Sequence, residues 1–345
     1  MSVGEKSVVF LLGAGCSFDA GIPVSKEMIA KLESLLSEKH TETLFPLYNY
    51  IKYTIEYGNK LAGIDNDFNI ESLLVTLHAL SEYKKTHLYP FVNGYKNDLL
   101  ELSGLKFSNI KQLIEVIENQ LAGWVTLRSY RSAEYYKNFQ KFQSQLNFAI
   151  RIFSLNYDLC LEKNVTCKIE TGFYEDQPWD GNRFLQNDDD DETAIYLYKL
   201  HGSINWQRKN GQLCISEQSN IKPDVIFGTD LKMQAIDPYL FYLYEFRKYV
   251  SSSELIVTLG YSYNDSHIND LISQAMISNE KMSLISVSPC EDPDKERDRL
   301  VHRLNLIKEQ ADSITIVDKS AKEFLENILS VDYVGEKLPE NDLPF

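Results

Sequence analysis

The sequence predicts an α/β fold: a doubly wound, mainly parallel sheet with an inserted helical module. Short apolar, β-rich runs recur along the chain, and each closes on a polar or glycine turn. Helical periodicities fill many of the gaps between those runs, the alternation that builds a parallel sheet. From Asp65 to Phe148 the pattern changes to helix after helix, with no strand signal.

The first run, Ser7–Leu12, is apolar and ends at Gly13-Ala14-Gly15. A small-residue turn then leads through Pro23 into Met28, Ile29, Leu32, Leu35 and Leu36 at helical spacing. In the insertion, Ile70, Leu73, Leu74, Leu77 and Leu80 form one stripe. Ile110, Leu113, Ile114, Ile117 and Leu121 form a second, and Tyr135, Phe139, Phe142 and Leu146 a third. Arg151–Leu155, Ile195–Leu200, Asp224–Phe227, Glu254–Leu259, Ser283–Val287 and Ile314–Val317 read as further strands. Helices are expected over Asp237–Val250, Ser266–Ser278, Asp294–Gln310 and Ala321–Leu329. The sheet domain is thus discontinuous, 1–64 and 149–333, with the insertion at 65–148. It is followed by an extended tail, 334–345, that lacks periodicity. Asp188–Glu192 is a charge run read as a solvated loop, because nothing spaces its carboxylates as metal ligands.

The chain has 345 residues, 43% hydrophobic and 25% charged, enough for one large domain or two modest ones. Its net charge of −15 argues against direct nucleic-acid binding, which needs a basic face. No run reaches the ~20 apolar residues of a membrane helix, and Val8–Leu12 is too short for a signal peptide. The expectation is a cytoplasmic protein that does not enter a membrane. Cys16, Cys160, Cys167, Cys214 and Cys290 are scattered and form no C-x-x-C pair. That speaks against a disulfide framework and against structural zinc.

In a doubly wound sheet the ligand lies outside the carboxyl ends of the strands. The polar residues of interest all fall there: Gly13, Ala14, Gly15 and Ser17; Asn156, Tyr157 and Asp158; His201 and Gly202; Gly260, Ser262 and Asp265; and Ser288. Strand, glycine turn and helix together suit a pyrophosphate, because backbone N–H groups can point at it without β-carbons in the way. The ordinary dinucleotide fingerprint would place a third glycine where Phe18 stands.

GAGCSFDAGIP (Gly13–Pro23) resembles the first motif of the sirtuin family, whose members bind NAD and cleave its nicotinamide–ribose bond. NYD (Asn156–Asp158) is similar to the family's asparagine motif and KLHGS (Lys199–Ser203) to its histidine–glycine motif. PDVIFG (Pro223–Gly228) and GYSYND (Gly260–Asp265) resemble segments that follow in the same order. The combination is closest in pattern to a bacterial sirtuin-like branch of anti-phage defence, found with a HerA-like ATPase. The resemblance implies a Rossmann-like, sirtuin-type fold and NAD as substrate.

It also implies roles. His201 is the base that takes a proton from a ribose hydroxyl or a water. Asn156, which cannot titrate, orients the nicotinamide ribose or the attacking water. Asp158 either stabilises the positive charge that develops on the ribose or caps a helix starting at Leu159. Gly13, Ala14, Gly15, Ser17, Gly260, Ser262 and Ser288 contact NAD, with Ser17 on a phosphate. Ser262 and Asp265 touch ribose or hold their loop, Cys16 packs, and His267 caps or lies at the surface. Two departures from the family stand out. Twenty residues separate Gly202 from Pro223 and contain only Cys214, where protein deacylases carry a four-cysteine zinc module; no zinc is expected. Val24, Ser25 and Lys26 replace the deacylases' aspartate, aromatic and arginine.

The expected activity is NAD glycohydrolysis to nicotinamide and ADP-ribose, by an effector that depletes NAD in abortive infection. The alternatives are a non-catalytic NAD or ADP-ribose sensor and a NAD-dependent protein deacylase. The insertion is expected to cap the pocket or mediate assembly. Trp124, Tyr130, Tyr135, Tyr136, Phe139 and Phe142 either fill its own core or mark a homo-oligomer contact.

Overall fold

Apolar runs of four or five residues become β1 (Val8–Leu12), β2 (Ile150–Ser154), β4 (Ile195–Lys199), β7 (Leu255–Leu259), β8 (Ser283–Val287) and β9 (Ile314–Val317). A two-residue strand, β3 (Ile169–Glu170), completes a seven-stranded sheet in the computed structural model of the chain. The structure describes residues 3–4, 8–63, 68–82, 97–174, 177–185, 192–216, 225 and 236–339. Strand order is β3-β4-β2-β1-β7-β8-β9 and every pairing is parallel. Leaving aside β3, the order is third, second, first, fourth, fifth, sixth: the doubly wound arrangement, reversing between β1 and β7. All residues of β1, β2, β4 and β7 are buried, as continuous apolar strands covered on both faces must be. Arg151 and Lys199 are the charged exceptions. The Arg151 guanidinium lies 4.1 Å from the Tyr249 ring centre and 4.9 Å from that of Tyr196, so a buried cation meets two aromatic faces.

One expected strand falls differently, and one strand was not expected. The sequence reading made Asp224–Phe227 a strand. Of it only Val225 is described, in an isolated antiparallel bridge with Gly202. β3, not foreseen, is an edge strand too short to show a period. Buried Glu170 accepts from Arg183 through both carboxylate oxygens, at 2.7 and 3.0 Å, and from the Gly172 amide at 2.7 Å. Between Gly202 and Pro223 the chain forms a hairpin, β5 (Trp206–Lys209) with β6 (Gln212–Ile215). Its turn is Asn210 and Gly211, both at positive φ.

The chain divides into two compact units. One is 1–22, 126–225 and 233–345; the other is 23–125 with 226–232. The second unit is helical: α1 (Ser25–Leu36), α2 (Phe45–Leu61), α3 (Ile70–Glu82), α4 (Asn97–Ser103) and α5 (Ser108–Trp124). The two expected stripes meet here, with Leu73, Leu74 and Leu77 of α3 and Leu113, Ile117 and Leu121 of α5 all buried. This division differs from the insertion boundaries read in the sequence. α1 and α2 group with the helices, whereas Tyr130–Gln143 groups with the sheet.

The sheet unit carries α6 (Lys137–Gln143), α7 (Tyr239–Ser252), α8 (Ser266–Ser278), α9 (Pro293–Arg303), α10 (Ala321–Asn327) and α11 (Val331–Lys337). Phe139 and Phe142 of α6 meet the Phe10 ring edge-on at 5.4 and 5.6 Å. Tyr135, Tyr136, Phe139 and Phe142 are all buried, and Trp124 and Tyr130 half-buried. Of the two readings left open for these aromatics, core filling holds for most of them. The helix expected over Asp294–Gln310 stops at Arg303, where Asn305 takes φ 48°. The start of the expected tail is helical too: Ser330 caps α11 through the Tyr333 amide at 3.1 Å. Most of the Asp188–Glu192 run lies outside the described residues. Among the described residues, no helix is long and apolar enough to cross a membrane.

Candidate active site

Two glycine turns meet where the strand order reverses. Gly13 follows β1 in extended conformation (φ −104°, ψ 179°) and opens a 3-10 helix, Ala14–Ala20. The Gly13 amide donates to Leu259 O and the Gly15 amide to Gly260 O, both at 2.9 Å, while Cys16 N returns to Gly13 O. A β-carbon on Gly13 would stand 2.6 Å from Gly260 O. One on Gly260, which has φ +61°, would stand 2.2 Å from Cys16 N. The glycines are required by backbone packed on backbone. The expectation that the Gly13 and Gly15 amides point at phosphates is corrected accordingly, because both already donate to carbonyls of the β7 end. Ala14 remains exposed and Gly15 half-exposed on the turn's outer side.

Beneath this turn lies a polar cluster. Ser17 Oγ donates to Asp158 Oδ2 at 2.7 Å and bonds the Tyr136 hydroxyl at 2.8 Å. Asn156 Nδ2 donates to Gly13 O at 2.9 Å and to Ser17 Oγ at 3.3 Å. Ser17 is fully buried with its hydroxyl engaged on both sides, so its expected contact with a phosphate is not what the structure presents. Asp158 Oδ1 accepts the Cys160 amide at 2.9 Å, and the residues after it form turns. Its capping role is therefore met by a turn rather than a helix at Leu159. Lys199 Nζ donates to Asp158 O and pairs with Glu162 at 3.2 Å. Leu12, Tyr136, Ser154, Asn156, Asp158 and Lys199 border a void with room for roughly one water. Burial, aided by the Asp158 and Asp19 charges, pushes the Cys16 thiol up to about 12. It is packing, as read from the sequence, and not a nucleophile.

His201 ends the segment after β4, held by a turn in which Gly202 takes φ +89°. Only 4% of it is exposed. Its Nε2 lies 3.2 Å from Asp265 Oδ2, and its Nδ1 is buried without a hydrogen-bond partner. Asp265 is the N-cap of α8: its Oδ1 accepts from the His267 amide at 3.2 Å and the Ile268 amide at 3.5 Å. The Tyr157 ring centre is 6.5 Å from that of His201, and Tyr157 O accepts the Ile204 amide at 3.0 Å. The Asn156 and His201 segments are thereby joined. The Asp265–His201 contact is the feature that sequence reasoning missed. A helix cap could be read from Asp265 preceding the periodic residues of α8, but not which way its second oxygen turns.

The remaining expected contacts frame the site. Gly260 N donates to Val287 O at 2.9 Å, setting Gly260 beside the β8 end that leads into half-buried Ser288. Ser262 is exposed, and its carbonyl accepts from Arg299 at 3.4 Å. The loop is stiffened by Tyr261, whose hydroxyl donates to Asn269 Oδ1 at 2.8 Å, and by Asn269 Nδ2, which donates to Tyr263 O at 2.9 Å. Among the described residues, no group of three or more His, Cys, Asp and Glu is placed to hold a metal ion.

No curated protein sequence matches the chain significantly. Among solved structures, a Sir2 homologue in complex with NAD aligns with 96% of this chain and 90% of its own, at 13% identity and a TM-score of 0.46. A Sir2 homologue mutant with 2′-O-acetyl ADP-ribose aligns over 98% and 95%, at 13% identity and a TM-score of 0.45. Residues 150–308 match the family described as the SIR2-like domain, a span that includes Asn156, Asp158, His201, Gly260 and Asp265.

Proposed function

We propose that this chain is a NAD glycohydrolase that releases nicotinamide and leaves ADP-ribose, with water as acceptor. The observation that carries the reading is His201 Nδ1: a basic atom, buried, without a partner, at the carboxyl edge of a doubly wound sheet. Buried polar atoms are satisfied in folded proteins, so an orphan at a strand end asks for a ligand. The SIR2-like match over residues 150–308 supports NAD as that ligand. In the proposed reaction the nicotinamide–ribose bond breaks and nicotinamide leaves with the bonding pair. The water oxygen bonds the ribose carbon, and the water proton passes to His201. Asn156, its amide nitrogen engaged by Gly13 O, offers its side-chain oxygen to orient ribose or water. Asp158, a buried carboxylate, favours positive charge developing nearby.

Incubation with NAD, followed by chromatography, tests the proposal. Nicotinamide and ADP-ribose should form in equal amounts without any acyl-peptide and without added metal, and His201→Ala should abolish both. Nicotinamide released only with an acyl-peptide would show a deacylase, and bound but uncleaved NAD a sensor. The proposal extends, on the motif resemblance, to NAD depletion in anti-phage defence beside a HerA-like ATPase. Recovery of such an ATPase with the tagged chain tests that pairing. The homo-oligomer expected from the aromatic residues loses that support, since most of them are buried.

A further inference from the structure

We infer that Asp265 is a positioning residue that selects Nδ1 of His201 as the reacting nitrogen. The inference rests on the NAD-cleaving reading for its reaction but not for its geometry. A carboxylate only accepts hydrogen bonds, so the 3.2 Å contact between His201 Nε2 and Asp265 Oδ2 places the ring hydrogen on Nε2. In the neutral ring, Nδ1 is then a bare lone pair, and it is the atom left buried without a partner. It can accept a proton from a substrate or water hydroxyl as soon as one is bound.

Asp265 cannot easily turn away. Its other oxygen accepts from the first amides of α8, His267 N and Ile268 N, at the positive end of the helix dipole. The carboxylate therefore has two separable jobs, one per oxygen. Oδ1 caps the helix; Oδ2 sets the imidazole. The loop before it is anchored independently by Asn269 Nδ2 on Tyr263 O and by Arg303 Nη1 on Asn264 Oδ1 at 2.9 Å. The cap, the loop and the imidazole thus form one unit, and the histidine's orientation is built into the start of α8.

Asp265→Asn separates the two jobs. Asparagine is as good an N-cap as aspartate, and capping requires its single oxygen to face the helix amides. Its NH₂ must then face His201 Nε2, which reverses the donor and forces the hydrogen onto Nδ1. The variant should melt within a few degrees of the parent, since the helix cap is kept and the buried contact with His201 is re-formed with its donor reversed. It should lose about 100-fold or more in kcat, with KM changed less than about threefold, as loss of a general base alone predicts. Nitrogen-15 spectra of histidine-labelled protein, without NAD, should show His201 as the Nε2–H tautomer in the parent and the Nδ1–H tautomer in the variant. A parent in the Nδ1–H form, or a variant that keeps full kcat, would overturn the inference. A parent with the Nε2–H form but no NAD cleavage would instead sink the proposed function and leave the Asp265–His201 assignment standing. Asp265→Ala, which removes cap and partner together, should lower both the melting temperature and kcat.

Discussion

Asn156 shows how one side chain can serve the fold and the site at once. Its amide nitrogen satisfies the Gly13 carbonyl at the mouth of the glycine turn. Asn156→Ala would remove one of that carbonyl's two donors, leaving Cys16 N, at a cost of about 1 kcal/mol, so the variant should lose turnover and about 2 °C of melting temperature. His201→Ala should lose turnover while NAD still binds, if, as proposed, the rest of the ligand lies along strand ends that the substitution leaves untouched. Calorimetric titration of NAD into the His201 variant, beside melting curves for both, checks the pair. An unchanged melting temperature for Asn156→Ala would show that Cys16 N alone satisfies the Gly13 carbonyl. Asn156, Asp158 and His201 could be singled out as candidates in the sequence because each is a polar residue within four positions of the end of an apolar strand. Their partners were not. Tyr136 lies 119 residues from Ser17 and Ser17 is 141 from Asp158, and nothing local encodes contacts at that separation.

The glycine turns belong to the scale of elements, since each is shaped by the strand end facing it. Gly260 and Gly21 both have positive φ, yet their surroundings differ entirely. A β-carbon on Gly260 would meet Cys16 N at 2.2 Å and Gly15 C at 2.3 Å, whereas one on Gly21 would meet nothing within 4 Å. Gly21→Ala should therefore cost only backbone strain, about 1–2 kcal/mol. Gly260→Ala must also push two strand ends apart and should cost more than about 4 kcal/mol, the range of severe core disruption. Urea titration of the two variants measures the difference, and equal midpoints would refute the close packing of the turns. At this scale, legibility followed length. Five-residue apolar runs such as β1 and β7 announced themselves, and Ser266–Ser278 was read to the residue. β3, with two residues, carries no period, and the seven-residue α11 is specified by a serine cap rather than by an apolar stripe. The break after α9 depends on Asn305 entering the left-handed region, which asparagine tolerates but does not dictate.

At the scale of the whole molecule, the doubly wound order concentrates polar chemistry at one edge and leaves titratable groups buried or half-buried in the sheet unit around it. Four of them set an alkaline limit on the fold. Burial, aided by Asp158 and Asp19, raises the Cys16 thiol from 9.0 to about 12. Burial raises the Tyr130 and Tyr263 hydroxyls from 10.0 to about 12. Burial also pushes Cys160 up, with the Asp158 charge adding to it. In each case the folded state keeps a proton that the unfolded chain gives up first. Their contribution to stability is thus fully present below pH 9, is lost progressively above it, and is exhausted by about pH 12 for Cys16, Tyr130 and Tyr263. Each group can contribute a slope of at most about 1.4 kcal/mol per pH unit. The melting temperature should be flat from pH 7 to about 8.5 and fall steadily beyond. Repulsion within a chain of net charge −15 also grows at high pH, but it acts equally on parent and variant. Cys16→Ala removes one of the first groups to titrate, so its curve should fall less steeply between pH 9 and 10, whatever its starting value. Parallel curves for parent and variant over that interval would show that the Cys16 thiol is not held protonated by the fold.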